Sequence, residues 1–364
     1  MSTSPHLPHR LSACIGVCAA LVVLASSCAS DAAVGGGGPH FTGDPAATLE
    51  ADTVTTTSTP PTTTTAPTTT TTTTTPPQDD EQPADPPPED PPLVWAELPS
   101  GDQPLFETGD EGPGRRLVAM YGHPSTGGLG VLGEQGPERA VERLRSIAES
   151  YGADGSAILP TFEIIATIAS AGPGADGDYS SMTDREVIRP WIETAAANGV
   201  YVVLDLQPGR STFLSQARYY EEFLRLPHVG LALDPEWRLK PDEVHLEQIG
   251  TVDAAEINQV VDWLASIVRE EDLPQKLLIV HQFRISMITN REQIETPPEL
   301  AVLIHMDGQG SLSAKYNTWN LLTGLADADR FYWGWKNFYD EDSPMANPEQ
   351  VLARSPNIVF VSFQ

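Results

Sequence analysis

Eight short apolar segments recur between residues 117 and 364, and amphipathic segments separate them. They are rich in Val, Ile and Leu and are bounded by turn residues: Leu117–Gly122, Ala157–Glu163, Val200–Gln207, Val229–Glu236, Leu277–Gln282, Leu300–Asp307, Phe331–Lys336 and Ile358–Phe363. Such runs, separated by helical patterns, are typical of parallel strands buried on both faces. Eight units in about 250 residues predict one α/β domain, a closed (β/α)8 TIM barrel.

Residues that start and stop helices stand between these strands. The predicted helices are Pro137–Tyr151, a helix from the cap Asp184 to Asn198-Gly199, one from Ser211 or Thr212 to Leu226, Ala254–Glu271 after Asp253, and a last one after Asn347-Pro348. Proline in a first turn, Asp, Asn or Thr before it, and Asn-Gly after a last turn all suit these positions. No eighth helix follows the last strand. We therefore expect another segment to cover its place, and Leu93–Phe106 is the candidate.

The first 28 residues have the pattern of a secretory signal. Leu11–Leu24 is apolar but too short for an ordinary transmembrane helix, and small residues lead into Cys28. A cysteine directly after small residues resembles the lipobox of bacterial lipoproteins, which implies that Cys28 is lipidated and becomes the mature N-terminus. Cys14 and Cys18 lie in the apolar stretch, so Cys28 is the one cysteine that the mature protein would keep. An ordinary cleaved signal and an uncleaved anchor are the alternatives.

Residues 29–92 predict a disordered stalk that leads to a barrel domain over 93–364. Thr53–Pro77 is almost entirely Thr and Pro, and Gln78–Pro92 is rich in Pro, Asp and Glu. This composition buries too little apolar surface to offset its chain entropy. The formal net charge of −29 argues against nucleic acid as a partner, because nucleic acid selects for basic surfaces. We expect an extracytoplasmic protein, held at the outer face of the membrane by its lipid anchor or otherwise secreted.

Acidic residues gather where the predicted strands end. Alternation along Val229–Glu236 would put Asp234 and Glu236 on one face, and Asp205 with Gln207 repeats the arrangement one strand earlier. Glu163 ends the strand before that. The other strand ends provide further candidates for substrate contacts: Tyr121, His123, His281, Gln282, Asp307, Trp333 and Trp335. Carboxylates facing aromatic rings suit a sugar-binding cleft, because the rings stack on sugar faces while the carboxylates catalyse cleavage.

A barrel with Asp-x-Glu at a strand end resembles the (β/α)8 glycoside hydrolases, among them the muramidase and chitinase-like families. The resemblance rests on Asp234-Pro235-Glu236. It implies that Glu236 is the proton donor and that Asp234 tunes it, with Asp205 or Glu163 as the second carboxylate. The implied substrate is a cell-wall or extracellular polysaccharide, and no cofactor is implied.

Two other functions fit the same residues. A barrel without catalysis would bind a wall glycan or a protein, and the absence of a roomy cleft between the carboxylates would favour it. A metal-dependent hydrolase would use His281, His305 and Asp307 as ligands. Each acid taken alone also has a structural explanation, because acids at strand ends often cap the next helix or pair with arginine.

Overall fold

The computed structural model describes residues 92–106 and 114–364. The predicted signal peptide, the lipidation site Cys28 and the stalk lie outside the described residues. The barrel belongs to one compact unit, Pro88–Gln364. No helix in the described part of the chain is long and apolar enough to cross a membrane.

Eight parallel strands close into a barrel, as the sequence predicts. The strands of the chain are β1 (Val94–Trp95), β2 (Arg115–Gly122), β3 (Ala157–Ala169), β4 (Ser180–Met182), β5 (Tyr201–Leu206), β6 (Val229–Leu233), β7 (Val252–Asp253), β8 (Lys276–Gln282), β9 (Ile288–Thr289), β10 (Leu300–Met306), β11 (Tyr332–Asn337) and β12 (Ile358–Phe363). The barrel runs β2-β3-β5-β6-β8-β10-β11-β12, and β12 pairs with β2 to close it. Every neighbouring pair in this ring is parallel.

The helices in the described residues are α1 (Pro137–Ala148), α2 (Arg185–Ala197), α3 (Phe213–Tyr219), α4 (Glu221–Leu224), α5 (Ala254–Glu271), α6 (Leu312–Thr323) and α7 (Pro348–Leu352). Five of them, α1, α2, α3, α5 and α7, begin where the sequence predicts a helix, whereas α6 has no counterpart among the predicted helices. Four predicted cap side chains accept a hydrogen bond from a first-turn backbone N–H: Asp184, Thr212, Asp253 and Asn347. The helix predicted to reach Leu226 is divided at Tyr220 into α3 and α4.

The alternation of strand and helix breaks after β8. Residues 283–299 contain only two 3-10 turns, Ile285–Met287 and Arg291–Gln293, and the short strand β9. Arg291 is buried here and forms a two-pronged ion pair with Asp327, at 2.9 and 2.6 Å. Its third nitrogen donates to the side-chain oxygen of Gln282 at 2.9 Å. This buried polar group lies beside β8, in the stretch where the chain forms no helix.

An apolar cluster fills the N-terminal end of the barrel interior. Its members are Leu105, Phe106, Leu117, Ala119, Leu159, Tyr201, Val203, Ala232, Leu277, Ile279, Ala301, Leu303 and Phe360. Leu105 and Phe106 come from the segment before β2, and the backbone N–H of Leu105 donates to Gln275 at 2.8 Å. The prediction that Leu93–Phe106 covers the place of an eighth helix is therefore wrong, because its buried end closes the bottom of the barrel.

Candidate active site

A layer of polar side chains lies above this apolar floor, toward the C-terminal ends of the strands. Glu163 on β3 and Asp205 on β5 are wholly buried and alternate with outward-facing apolar neighbours. Glu163 does not end its strand as predicted, because β3 continues to Ala169 and pairs there with β4. Asp234 and Asp307 directly follow β6 and β10. Side chains from β3 and β5 and from the ends of β6 and β10 thus lie at the barrel mouth.

His281 on β8 lies at the centre of this layer. Its Nδ1 is 3.0 Å from Asp307 Oδ2, its Nε2 is 3.1 Å from Glu163 Oε1, and the same Nε2 is 3.8 Å from Asp205 Oδ1. Burial alone lowers the pKa of His281, but the hydrogen bonds to Asp307 and Glu163 outweigh it and raise the pKa well above its usual value. His281 therefore connects Asp307, Glu163 and Asp205, and its raised pKa favours its protonated form.

Tyr121 and Lys336 form the opposite side of the layer. The hydroxyl of Tyr121 donates to Asp205 at 2.9 Å, and the amide of Gln207 donates to that hydroxyl at 3.3 Å. The ammonium of Lys336 lies 3.6 Å from the centre of the Tyr121 ring. Burial raises the pKa of Asp205 to about 6, while the charge of His281 acts to lower it.

The Asp-x-Glu motif lies on a turn and not on a strand. β6 ends at Leu233, and Asp234 caps a 3-10 turn, Pro235–Trp237, by accepting the backbone N–H of Glu236 at 3.1 Å. The prediction that Asp234 and Glu236 share one strand face is wrong, because Pro235 begins the turn immediately after the strand. Asp234 is buried, whereas Glu236 is partly exposed.

Both carboxyl groups of the motif hold their protons more strongly than usual. The pKa of Glu236 is raised to about 7, mainly by burial and next by the charge of Asp307. Burial also raises the pKa of Asp234 well above its usual value, and the neighbouring Asp205 adds to the effect. A carboxylic acid that keeps its proton near neutral pH and reaches the surface is suited to donate that proton to a substrate.

Several buried polar atoms of this layer receive no hydrogen bond from the protein. Three carboxylate oxygens of this layer are buried without a hydrogen-bond partner among the described residues: Glu163 Oε2, Asp205 Oδ1 and Asp307 Oδ1. Leaving such groups unpaired is costly, at about 1–3 kcal/mol each or more when charged. Their concentration at one place makes the mouth a candidate site for a ligand or ion.

Three side chains of the mouth have the donor set of a metal site. One ligand atom each from Asp234, His281 and Asp307 lies within 4.8 Å of the others. One nitrogen and two carboxylate oxygens suit Zn²⁺ or Mn²⁺, and the Glu163 contact to the other nitrogen of His281 is typical of support behind a metal-bound histidine. His305 is not in this set, because its Nε2 contacts Ser362 Oγ at 2.8 Å. In the predicted ligand set of His281, His305 and Asp307, Asp234 therefore takes the place of His305.

Three residues predicted to contact substrate face away from the mouth. Trp333 and Trp335 are buried on the outer side of β11, where their rings lie 5.6 and 5.9 Å from that of Trp319 on α6. Their neighbour Lys336 is the β11 side chain that reaches the polar layer. Gln282 also points outward, because its side chain is bound by Arg291. The predicted sugar platform of two tryptophans is therefore wrong.

The remaining predicted residues divide between the mouth and its rim. Gln207 joins the polar layer through Tyr121, and its side-chain oxygen accepts the backbone N–H of Ala169 at 2.9 Å. His123 lies in the loop after β2, where its Nε2 is 3.0 Å from Thr183 Oγ1. It connects two rim loops and forms no hydrogen bond to the carboxylates described above.

Sequence reasoning missed Lys336 and Ser362. In the sequence analysis, Lys336 lies in a predicted strand and has no role. Trp333 and Trp335 share one face of that strand, so Gly334 and Lys336 share the other. A lysine on the face that carries Gly334 is the sequence feature that could have indicated its role. Gly334 itself makes room for the site, because a side chain there would put its first carbon 2.4 Å from His305 Nδ1.

Comparison with known proteins gives little beyond this geometry. No family model and no curated protein sequence matches the chain. A mutant form of Cel5A from Thermotoga maritima, in complex with cellobiose substrate, is similar with a TM-score of 0.36 and 8% identity over 69% of this chain and 88% of that one. Dihydropteroate synthase from Burkholderia cenocepacia has a TM-score of 0.29 and 14% identity over 75% of this chain and 91% of that one. Neither similarity assigns the chain to a family or an activity.

Proposed function

We propose that the barrel is a glycoside hydrolase in which Glu236 donates a proton to the leaving oxygen of a polysaccharide. The supporting observation is that the carboxyl groups of the mouth differ in their exposure to solvent and in their pKa. Glu236 is the one that reaches the surface, and its pKa is raised to about 7. The others, Glu163, Asp205, Asp234 and Asp307, are buried beneath it. A partly exposed carboxylic acid of raised pKa, together with a second carboxylate, matches the two roles that glycoside hydrolysis requires.

The buried acids would stabilise the positive charge that develops on the sugar ring in the transition state. Asp205 is held by Tyr121 and approached by His281 at 3.8 Å, so it is the first candidate for the second carboxylate. Glu163 shares its charge with His281 through a 3.1 Å contact and is the second candidate. Asp234 would position Glu236 by capping its turn.

The test is release of reducing ends by the purified full-length chain from wall glycans and soluble polysaccharides. Glu236→Gln keeps the size of the side chain but cannot donate an acidic proton, so turnover should fall by about 10²–10⁴-fold. Glu247→Gln is the matched control, because Glu247 is exposed on the same loop and has none of the contacts described for the site. Full activity of Glu236→Gln on a confirmed substrate would show that another group is the acid.

A metal-dependent hydrolase is the second candidate, favoured by the arrangement of Asp234, His281 and Asp307. Metal would supply a Lewis acid and an activated water at the mouth. In that case the purified chain should carry about one Zn²⁺ or Mn²⁺ by elemental analysis, consistent with a three-ligand site. Asp307→Asn should lose this metal, whereas Asp340→Asn, a change in an exposed loop residue, should keep it. Metal-free protein with full hydrolytic activity would exclude this candidate.

A barrel that binds glycan without cleaving it is a third candidate. The depth of Glu163 and Asp205, both wholly buried, favours it, since no substrate reaches a carboxylate without an opening. If the protein is retained on a glycan but no preparation of it releases reducing ends, binding without catalysis is supported.

We further propose that the substrate lies at the cell envelope. Support comes from the sequence alone, through the lipobox-like residues before Cys28 and the Thr- and Pro-rich stretch at 53–77. A lipid anchor with a long spacer would restrict the barrel to glycans within reach of the membrane.

A further inference from the structure

Two rim loops bring aromatic rings together beside the proposed acid. Trp237 directly follows Glu236, and its ring lies 5.3 Å from that of His245, which belongs to the same loop between β6 and β7. The ring of Tyr179, from the loop between β3 and β4, lies 6.1 Å from that of His245. All three are partly exposed. We call the group Tyr179, Trp237 and His245 the aromatic ledge.

The ledge is held in place by bonds between the loops. The Nε2–H of His245 donates to the carbonyl oxygen of Tyr179 at 2.9 Å. Arg210, from the loop after β5, lies 4.5 Å from the centre of the Tyr179 ring and donates twice to the carbonyl oxygen of Glu243, at 3.1 and 2.8 Å. The loops meet so closely at Gly209 that a side chain would come within 2.1 Å of a carbonyl oxygen.

Backbone strain at the ledge indicates a purpose beyond loop packing. Tyr179 and Leu246 have positive φ angles of 58° and 69°, which non-glycine residues rarely adopt. Such conformations cost of order 1–3 kcal/mol and cluster where a binding surface must be held in one shape. In addition, the indole N–H of Trp237 donates to no protein atom in the described part of the chain, as is also the case for Trp95, Trp191 and Trp263, and Trp237 is partly exposed at the rim, where a ligand can reach it.

We propose that the aromatic ledge is a sugar-binding subsite that stacks a pyranose ring next to the unit whose bond is cleaved. The ligand class rests on the proposed function. The position rests on the structure, because Glu236 and Trp237 share the 3-10 turn Pro235–Trp237 that directly follows β6 at the mouth. Aromatic faces accept the apolar C–H faces of sugars, and a free indole N–H can donate to a sugar hydroxyl. The ledge takes the role that the sequence assigned to Trp333 and Trp335.

The test measures binding separately from cleavage. Full-length Glu236→Gln protein serves as the parent in affinity electrophoresis through gels that contain solubilised peptidoglycan, xylan or carboxymethylcellulose. Adding Trp237→Ala should weaken retention by about 3- to 10-fold, and Trp237→Phe should keep most of it, since a phenyl ring still stacks. Trp95→Ala is the matched control: Trp95 is 40% exposed but pairs beside the start of β3, at the opposite end of the barrel.

The outcomes separate this proposal from the proposed function. Equal retention of the Trp237→Ala and Trp95→Ala proteins would overturn the ledge, and so would a parent that none of the three glycans retains. If Trp237→Ala weakens retention but the unmodified chain releases no reducing ends, the ledge stands as a binding site and the hydrolase proposal fails. In an active chain, Trp237→Ala should raise KM on the polymer with little change in kcat, which a loss of folding would not produce.

Discussion

Replacing His281 by Gln should test whether one buried cation holds the mouth together. The substitution removes a positive charge that lies 3.0, 3.1 and 3.8 Å from oxygens of Asp307, Glu163 and Asp205. At an effective dielectric constant of about 20, each contact at these distances is worth roughly 4–6 kcal/mol. The cost of burying the ions, several kcal/mol each, offsets most of this sum. Breaking such a buried group by removing one partner leaves a net loss of about 3–5 kcal/mol.

The assay is urea unfolding of the His281→Gln protein beside the unmodified chain. A double substitution with Asp307→Asn should restore part of the loss, with a coupling of about 0.5–3 kcal/mol, because the two groups are in contact. His228→Gln is the control: His228 is equally a buried histidine, but it lies at the other end of β6 and contacts only a backbone carbonyl. The losses in unfolding free energy caused by His228→Gln and by Asp307→Asn should be additive, to within about 0.5 kcal/mol.

The effect of pH has a definite sign. His281 has a raised pKa when folded, so its contribution is complete below its ordinary pKa of 6.5 and is lost as pH rises through the folded value. The difference in unfolding free energy between the two proteins should therefore be largest below about pH 6.5 and should shrink as pH rises above it. A loss below about 1 kcal/mol at about pH 6, or one that grows as pH rises above about 6.5, would refute the reasoning.

Three further predictions concern other parts of the molecule. Arg291→Met should lower the free energy of unfolding by about 3–5 kcal/mol, because it leaves Asp327 buried and unpaired; an unchanged urea midpoint would contradict this. The hydrolysis rate should fall as pH rises through about 7, where Glu236 loses its proton, and a rate that stays level well above that pH would speak against Glu236 as the acid. Cys28→Ser should move the protein from the membrane fraction to the medium, or leave its precursor unprocessed, and an unchanged mature mass and fraction by mass spectrometry and blotting would exclude lipidation.

The barrel was predictable because its signals are local. Apolar runs, caps such as Asp184 and turns such as Asn198-Gly199 each act over a few residues, and their repetition determines the order of the strands. The same local patterns do not determine whether a strand side chain points into the barrel or out of it. A barrel strand is buried on both faces, so hydrophobicity does not tell which of Trp335 and Lys336 faces inward.

Two features of the site depend on distances that the sequence does not contain. The contacts of His281 join β8 to β3 and to the end of β10 across the barrel, and they depend on the tilt and stagger of the strands. The position of Glu236 depends on where β6 ends, and Pro235 moves that end by a few residues relative to the apolar pattern. The aromatic ledge depends on both, because its rings come from loops that are distant in sequence.

The apolar floor of the barrel has a consequence for the speed of proton exchange. Leu105 and Phe106 seal the interior below the polar layer, so a proton entering or leaving His281 is directed through the mouth. A ligand bound over the mouth would cover that route, and the protonation state of His281 would then be kept until the ligand leaves.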